Sequence, residues 1–155
     1  MSHNGNSIRW VIGRFDDLDI HQLYSILHLR ADVFVVEQNC PYSDLDFKDQ
    51  KALHIQGYID NRLATYCRIF DKGDYFEQAS IGRVVIATEY RKHGYGHVLM
   101  NKAIEQVRNT FGEANITISA QLYLKAFYET HGFAQVCEPY SEDDIPHIRM
   151  ERNNI

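Results

Sequence analysis

Ser80–Phe111 reads SIGRVVIATEYRKHGYGHVLMNKAIEQVRNTF, and the rest of the chain is arranged around it. It opens with an apolar run, Ile81 to Ala87, rich in Val and Ile, which predicts a strand buried on both faces. A short polar turn follows, then Arg91-Lys92-His93-Gly94-Tyr95-Gly96. Val98, Leu99, Lys102, Ala103, Gln106 and Val107 then recur at helical steps. A strand, a glycine-containing turn and a helix together present backbone N–H groups to an anion. The first helical N–H groups lack an intrahelical partner, and the helix dipole adds positive charge there. Gly94 and Gly96 allow close approach and positive φ, and Arg91 and Lys92 add charge. The segment is suited to a phosphate or pyrophosphate. It is not a P-loop, because no Gly-Lys-Ser/Thr follows, and Leu99 stands where a dinucleotide fingerprint has its third glycine.

The 155 residues suffice for one domain with a sizeable core, and the composition is globular. A net charge of −5 argues against general nucleic-acid or anionic-membrane partners. An acidic exterior with one local basic turn suits a cationic or amine partner beside an anionic cofactor. No apolar run reaches the roughly 18 residues of a membrane span, and residues 1–7 read as a polar, disordered N-terminus that is neither signal nor transit peptide. Cys40, Cys67 and Cys137 have neither disulfide nor zinc-site spacing. These features predict a cytoplasmic protein with reduced thiols and no metal, residues 8–155 forming a single domain.

Along the chain, Ile8–Phe15 reads as a strand. Asp16, Asp17 and Asp19 are N-cap candidates for a helix whose stripe is Ile20, Leu23, Tyr24 and Leu27, and 31–38 reads as a broken second helix. Residues 40–51 form an acidic loop. His54–Ile59, Asp60-Asn61 and Arg62–Phe70 read as a hairpin. After the central strand and helix come a strand at 115–120, a helix at 122–131 closed by Gly132, and strands at 133–137 and 147–152 joined by the acidic loop 141–144. The order β-α-α-β-β-β-α-β-α-β-β predicts an α/β (α+β) fold: a mixed central sheet with helices on both faces.

The Arg91-x-x-Gly94-x-Gly96 turn after a strand resembles the acyl-CoA-binding motif of the GNAT superfamily of N-acyltransferases. Phe127-Tyr128-Glu129-Thr130-His131-Gly132-Phe133 resembles that family's second motif, F/L-Y-x-x-x-G-F. The element order is similar to the family's from about Ile8 to Arg152. Arg30-x-x-Val33-Phe34-Val35-Val36-Glu37-Gln38, Cys40-Pro41-Tyr42 and Ile145-Pro146-His147-Ile148 resemble the ElaA-like bacterial branch. Gln121 stands where the family often has Asn, and Leu124 where it often has Ala. The resemblance implies an acetyl-CoA-dependent N-acetyltransferase working by direct transfer to a primary amine, small molecule or peptide, in a ternary complex. A homodimer is compatible with it. The alternative is a CoA-binding or sensor module without catalysis, which would need neither Tyr128 nor a base.

The resemblance also implies the cofactor-binding set. Val84, Val85 and Ile86 would pair with the pantetheine arm and Gln121 would touch it. Arg91, Lys92, His93, Gly94, Tyr95 and Gly96 would hold the pyrophosphate. A backbone N–H of Val84–Ile86 would meet the oxyanion where a parallel strand pair splays. By the same resemblance Tyr128 protonates the departing thiolate. Amines with pKa about 10.4 are neutral roughly one part in 10³ at pH 7, so a base is needed. Glu37 and His54 are the leading candidates, with His147 and Asp46 behind them. Glu37 follows the apolar run Val33–Val36, which predicts partial burial and a raised pKa. Cys40 reads as a pocket-lining thiol, and Tyr42 as a residue near the acceptor. Glu37, Asp44, Asp46 and Asp49, with only Lys48 opposing them locally, read as carboxylates that draw in a protonated amine.

Overall fold

The structure, a computed structural model, describes residues 7–153. The disorder expected for 1–7 therefore lies outside the described residues, except at Ser7, which is exposed. Eight strands form one sheet: β1 (Arg9–Arg14), β2 (Leu53–Ile59), β3 (Arg62–Phe70), β4 (Ala79–Ile86), β5 (Ile116–Gln121), β6 (Ala134–Gln135), β7 (Tyr140–Glu142) and β8 (Ile145–Arg152). Spatial order runs β1-β2-β3-β4-β5-β8-β6, with β7 also pairing β8. Among the described residues only β4 and β5 run parallel. The helices are α1 (Ile20–Arg30), α2 (Tyr95–Phe111) and α3 (Lys125–Glu129).

The mixed α/β reading holds, with helices packed on both faces. Successive β3 residues show the alternation. Cys67 packs with Leu99, Met100, Ala103 and Val107 of α2, while Tyr66 packs with Ile26 and Leu29 of α1. Asp19 caps α1: its carboxylate accepts from Gln22 N at 2.8 Å, and the Gln22 side chain accepts from Asp19 N at 3.0 Å. The buried stripe of α2 is Leu99, Met100, Ala103 and Val107. Val98, expected to face inward, is exposed, and Met100 takes its place.

Four local expectations need correction. Residues 31–38 are not a separate broken helix; Ala31–Glu37 continues α1 as a π-helical segment, with Gln38 N bonding Val33 O and Cys40 N bonding Val35 O. The strand at 133–137 shortens to Ala134–Gln135. Strand β4 is not fully buried, because Gly82, Arg83 and Val84 line a cleft. The acidic segment at 141–144 is no loop but the β7–β8 hairpin. Glu142 pairs Ile145 across Asp143 (φ 51°) and Asp144 (φ 61°), a two-residue turn with positive φ at both positions. Among the described residues no helix is long and apolar enough to cross a membrane.

Candidate active site

The parallel pairing of β4 with β5 lasts only from Ala79↔Ile116 to Ser80↔Thr117. Beyond it β5 keeps β8, with which it pairs along its whole length, while β4 and β5 diverge around a cleft of about 610 Å³. Val84, Val85 and Ile86 form one wall, Gln121 and Tyr128 the facing one. Glu37, Arg91 and Gly96 close one end. Lys92, His93, Gly94 and Tyr95 form the turn leading into Gly96.

That turn has the geometry an anion requires. Lys92 (φ 67°) and Gly94 (φ 77°) are left-handed, and the Gly94 carbonyl accepts from His97 N at 3.2 Å and Val98 N at 3.3 Å. The N–H groups of the residues just inside the helix point past its end. A Cβ on Gly94 would meet nothing within 4 Å, so open space lies over the turn. Arg91 does not lean over it. Both Nη atoms donate to the Glu37 carboxylate, Nη2 at 2.7 Å, and Nε donates to Ile86 O at 3.2 Å.

The expectation of a raised Glu37 pKa is thereby overturned. The hydrogen bond from Arg91 holds this carboxyl below its ordinary range, against a small opposing effect of burial. The apolar run before Glu37 sits on the π-helical segment, and the glutamate leaves that segment at its end, 41% exposed. A carboxylate ionised throughout the neutral range is a weak base. Glu37→Gln should therefore leave the acidic limb of a pH–rate profile near neutrality in place; loss of that limb would restore Glu37 as the base.

Strand β4 carries a bulge that the sequence reading did not anticipate. Tyr66 pairs Val85 and Arg68 pairs Gly82, so β4 spends one extra residue there, with Arg83 at φ 51°. The bulge re-aims the backbone beside Val84–Ile86 and turns the Arg83 side chain toward the 40–51 loop. Across the cleft Tyr128 is buried, its ring against Phe127 (5.1 Å) and Phe133 (6.0 Å). Burial pushes its pKa well up, and no described residue hydrogen-bonds its hydroxyl. Tyr128 thus presents a protonated, uncommitted donor to the cleft.

His54 does not line the cleft. It is fully buried on β2, with Nε2 donating to Asp49 O at 2.9 Å and Nδ1 accepting from Tyr66 Oη at 2.7 Å. Burial depresses its pKa. Both ring nitrogens are committed to structural bonds.

The acidic loop is likewise not an open field of charge. Asp44, Asp46 and Asp49 interlock with Arg30, Arg68 and Arg83, arginines contributed by α1, β3 and β4. Asp49 Oδ1 accepts from Arg30 Nη1 and Arg68 Nη1, each at 2.8 Å. Three carboxylates against three guanidiniums leave no net charge to steer an amine. Tyr42 lines the cleft; it donates to Asp44 Oδ1 at 3.2 Å, and burial pushes its pKa up to about 12. Cys40 also lines the cleft, its thiol donating to Asp143 O at 3.1 Å.

Ser119 and Tyr140, which no sequence motif singles out, join Glu142 and His147 in a polar group beside the cleft. Ser119 Oγ and Tyr140 Oη lie 2.5 Å apart, and Ser119 Oγ lies 3.4 Å from Glu142 Oε2. Glu142 Oε2 is also 3.1 Å from His147 Nε2, and Ser119, Glu142 and His147 line the cleft. Reading 141–144 as a loop hid the pairing that makes Glu142 and His147 neighbours.

Known proteins match both sequence and fold. The family model described as an acetyltransferase (GNAT) domain matches residues 30–153. Protein ElaA of Escherichia coli is 40% identical over 150 residues, 96% of this chain and 98% of that protein. The ElaA crystal structure superposes with TM-score 0.88, covering 95% of this chain and 100% of that one. An acyl-CoA N-acyltransferase from Pseudomonas aeruginosa superposes with TM-score 0.89 at 40% identity, covering 94% and 99%. At 13% identity, a GNAT family acetyltransferase from Elizabethkingia anophelis with acetyl-CoA bound shares the fold (TM-score 0.65; 95% and 98%).

Proposed function

The chain belongs to the GNAT acetyltransferase family, and from that premise we propose that it moves an acetyl group from acetyl-CoA to a primary amine by direct transfer in one ternary complex. One observation carries the reading. The divergence of β4 from β5 sets the N-terminus of α2 at Gly96, a stretch of β4 whose β5 side is unpaired and the free hydroxyl of Tyr128 on a single cleft. These features fit acetyl-CoA: the Tyr95–Gly96 amides would hold its pyrophosphate, and β4 beyond Ser80 would run beside its pantetheine arm. Bound there, it supplies an activated thioester.

The chain's residues have three tasks. A β4 amide among Val84–Ile86 faces the carbonyl oxygen as negative charge develops on it, a contribution commonly worth about 10²–10³ in rate. Tyr128 gives its proton to the departing sulfur. A base takes the proton that keeps the amine from attacking. Glu37 has a different place in this scheme: paired with Arg91, it fixes the cleft end next to the phosphate turn.

Acetyl-CoA at 100 times its Kd should add about 2.7 kcal/mol. That corresponds to about 5–10 °C in Tm for a domain of this size. Gly94→Val should abolish the shift, because its side chain would fill the open space over the turn and strain a φ of 77°. Thiol release is then measured with acetyl-CoA and spermidine, phenylethylamine, glucosamine or an N-terminal peptide. No melting shift at millimolar acetyl-CoA defeats the cofactor assignment. A shift without thiol release from any amine leaves a CoA-binding module.

A further inference from the structure

We propose that Glu142 and His147 on the β7–β8 hairpin receive the acceptor's ammonium group, and that His147 Nε2 takes its proton. The inference rests on the acetyltransferase reading above and supplies the base that reading lacks.

The His147 ring is fixed by its other nitrogen. Nδ1 lies 2.7 Å from Ile145 O. A carbonyl only accepts, so Nδ1 carries a proton in every state. The lone pair of the neutral ring is therefore on Nε2, and Nε2 lies 3.1 Å from Glu142 Oε2. Two acceptors at that distance repel each other unless a proton or an N–H donor sits between them. An ammonium group is such a donor, with one N–H for the carboxylate and one for the imidazole.

The surroundings hold this arrangement. From β7, Tyr140 stacks on His147 (6.2 Å, 24°) and reaches Ser119 of β5, which lies next to Glu142. Gln121 of β5 is the cross-strand partner of His147, and Asp143 lies at the hairpin turn. Arg149 follows along β8, and Tyr128 is the titratable group that α3 places on the shared cleft. His147 is 7% exposed and Glu142 far more open, so the carboxylate meets the incoming amine first.

Charge accounting names the substrate class. On the cleft wall Glu37 is paired with Arg91, and Arg83 is taken up by Asp44 and Asp46 of the loop behind it. What remains is Glu142 and Asp143, two carboxylates with no guanidinium or ammonium on them among the described residues. They favour a cationic amine and oppose one with a carboxylate beside its nitrogen.

The step balances. One proton passes from the ammonium to His147 Nε2, forming an imidazolium next to Glu142. The freed nitrogen lone pair forms the C–N bond as the C–S bond breaks. Tyr128 gives its proton to sulfur, the second N–H proton lost on forming the amide passes through solvent to the Tyr128 phenolate, and His147 returns its proton to solvent.

The test uses phenylethylamine and its α-carboxylate analogue phenylalanine with acetyl-CoA, reading free thiol from pH 6 to 10. His147→Gln should lower kcat/KM for phenylethylamine at pH 7 by about 10²–10³-fold. The loss should shrink tenfold per pH unit as the amine deprotonates itself. Glu142→Gln should raise KM for phenylethylamine about tenfold while leaving KM for acetyl-CoA unchanged. Phenylalanine should react at least tenfold more slowly than phenylethylamine. Because His147 is buried, its ring Cε1–H resonance is followed as well. Adding phenylethylamine to the wild-type–CoA complex should move it, and the movement should vanish in Glu142→Gln. A wild-type pH profile retained in both variants overturns the proposal, as does a resonance that ignores phenylethylamine. Absence of thiol release by the wild type with every amine, spermidine and glucosamine included, overturns the acetyltransferase reading and this proposal with it.

Discussion

Tyr128→Phe is expected to lower kcat by about 10²–10⁴-fold while leaving the acetyl-CoA melting shift intact. The substitution removes one oxygen. The ring keeps its contacts with Phe127 and Phe133, and no protein hydrogen bond is lost because the hydroxyl makes none among the described residues. The fold should therefore tolerate the change. Burial raises the Tyr128 pKa, so the hydroxyl stays protonated across the neutral and mildly alkaline range. A proton donor needed only as sulfur departs contributes to the transition state and not to ground-state binding, so the loss falls on kcat rather than on affinity. The measurement is steady-state thiol release with phenylethylamine beside a melting scan. An unchanged kcat would mean that solvent protonates the sulfur and that the tyrosine is packing.

The sequence showed the scaffold well where a local pattern carried the information. The apolar run, the two glycines and the helical period of 80–111 dictate strand, turn and helix, and Gly94 adopts the left-handed φ expected of it. Asp60-Asn61 between two apolar runs was legible as a hairpin. Asp143-Asp144 forms the same two-residue turn, with φ of 51° and 61°, but the sequence there looks like a loop because its flanks are polar: Tyr140–Glu142 is a short strand at the cleft, with no apolar alternation to announce it. That one misreading hid Glu142 as a neighbour of His147.

Charge was legible only as far as sequence neighbours go. The loop 44–49 looks acidic because its arginine partners stand 14 to 39 residues away. Glu37 looked like a buried base for the same reason, since Arg91 is 54 residues away. The Arg83 bulge is a register event between two strands, and its one local mark is Gly82, a glycine inside the strand run. Periodicity reports which face of an element is buried; it does not report which distant side chain completes a polar site.

Asp49→Asn tests the consequence of that hidden pairing, and its effect should be on stability. One oxygen, Oδ1, accepts from both Arg30 and Arg68, whose side chains are 0% and 1% exposed. The change turns a balanced set of three carboxylates and three guanidiniums into one with an unmatched buried positive charge. Removing one partner of a buried pair typically costs about 3–5 kcal/mol. For a domain of this size that is about 6–20 °C in Tm. The acid side gives a second signature. Burial opposes the Asp49 charge, but the two arginines outweigh it and hold the pKa below the ordinary value. A depressed native pKa means that the unfolded state binds the proton more readily. The stabilisation is thus complete above about pH 4, the unfolded value, and fades as pH falls through the native one. His54, whose pKa burial also depresses, adds loss of stability that begins as pH drops below about 6.5. Asp49→Asn should therefore melt much lower than wild type at pH 7, with the gap closing toward pH 3. A Tm within 2 °C of wild type at pH 7 would show that Asp44 and Asp46 suffice for the three arginines. A gap that stays constant down to pH 3 would mean that the loss is one of packing and not of charge.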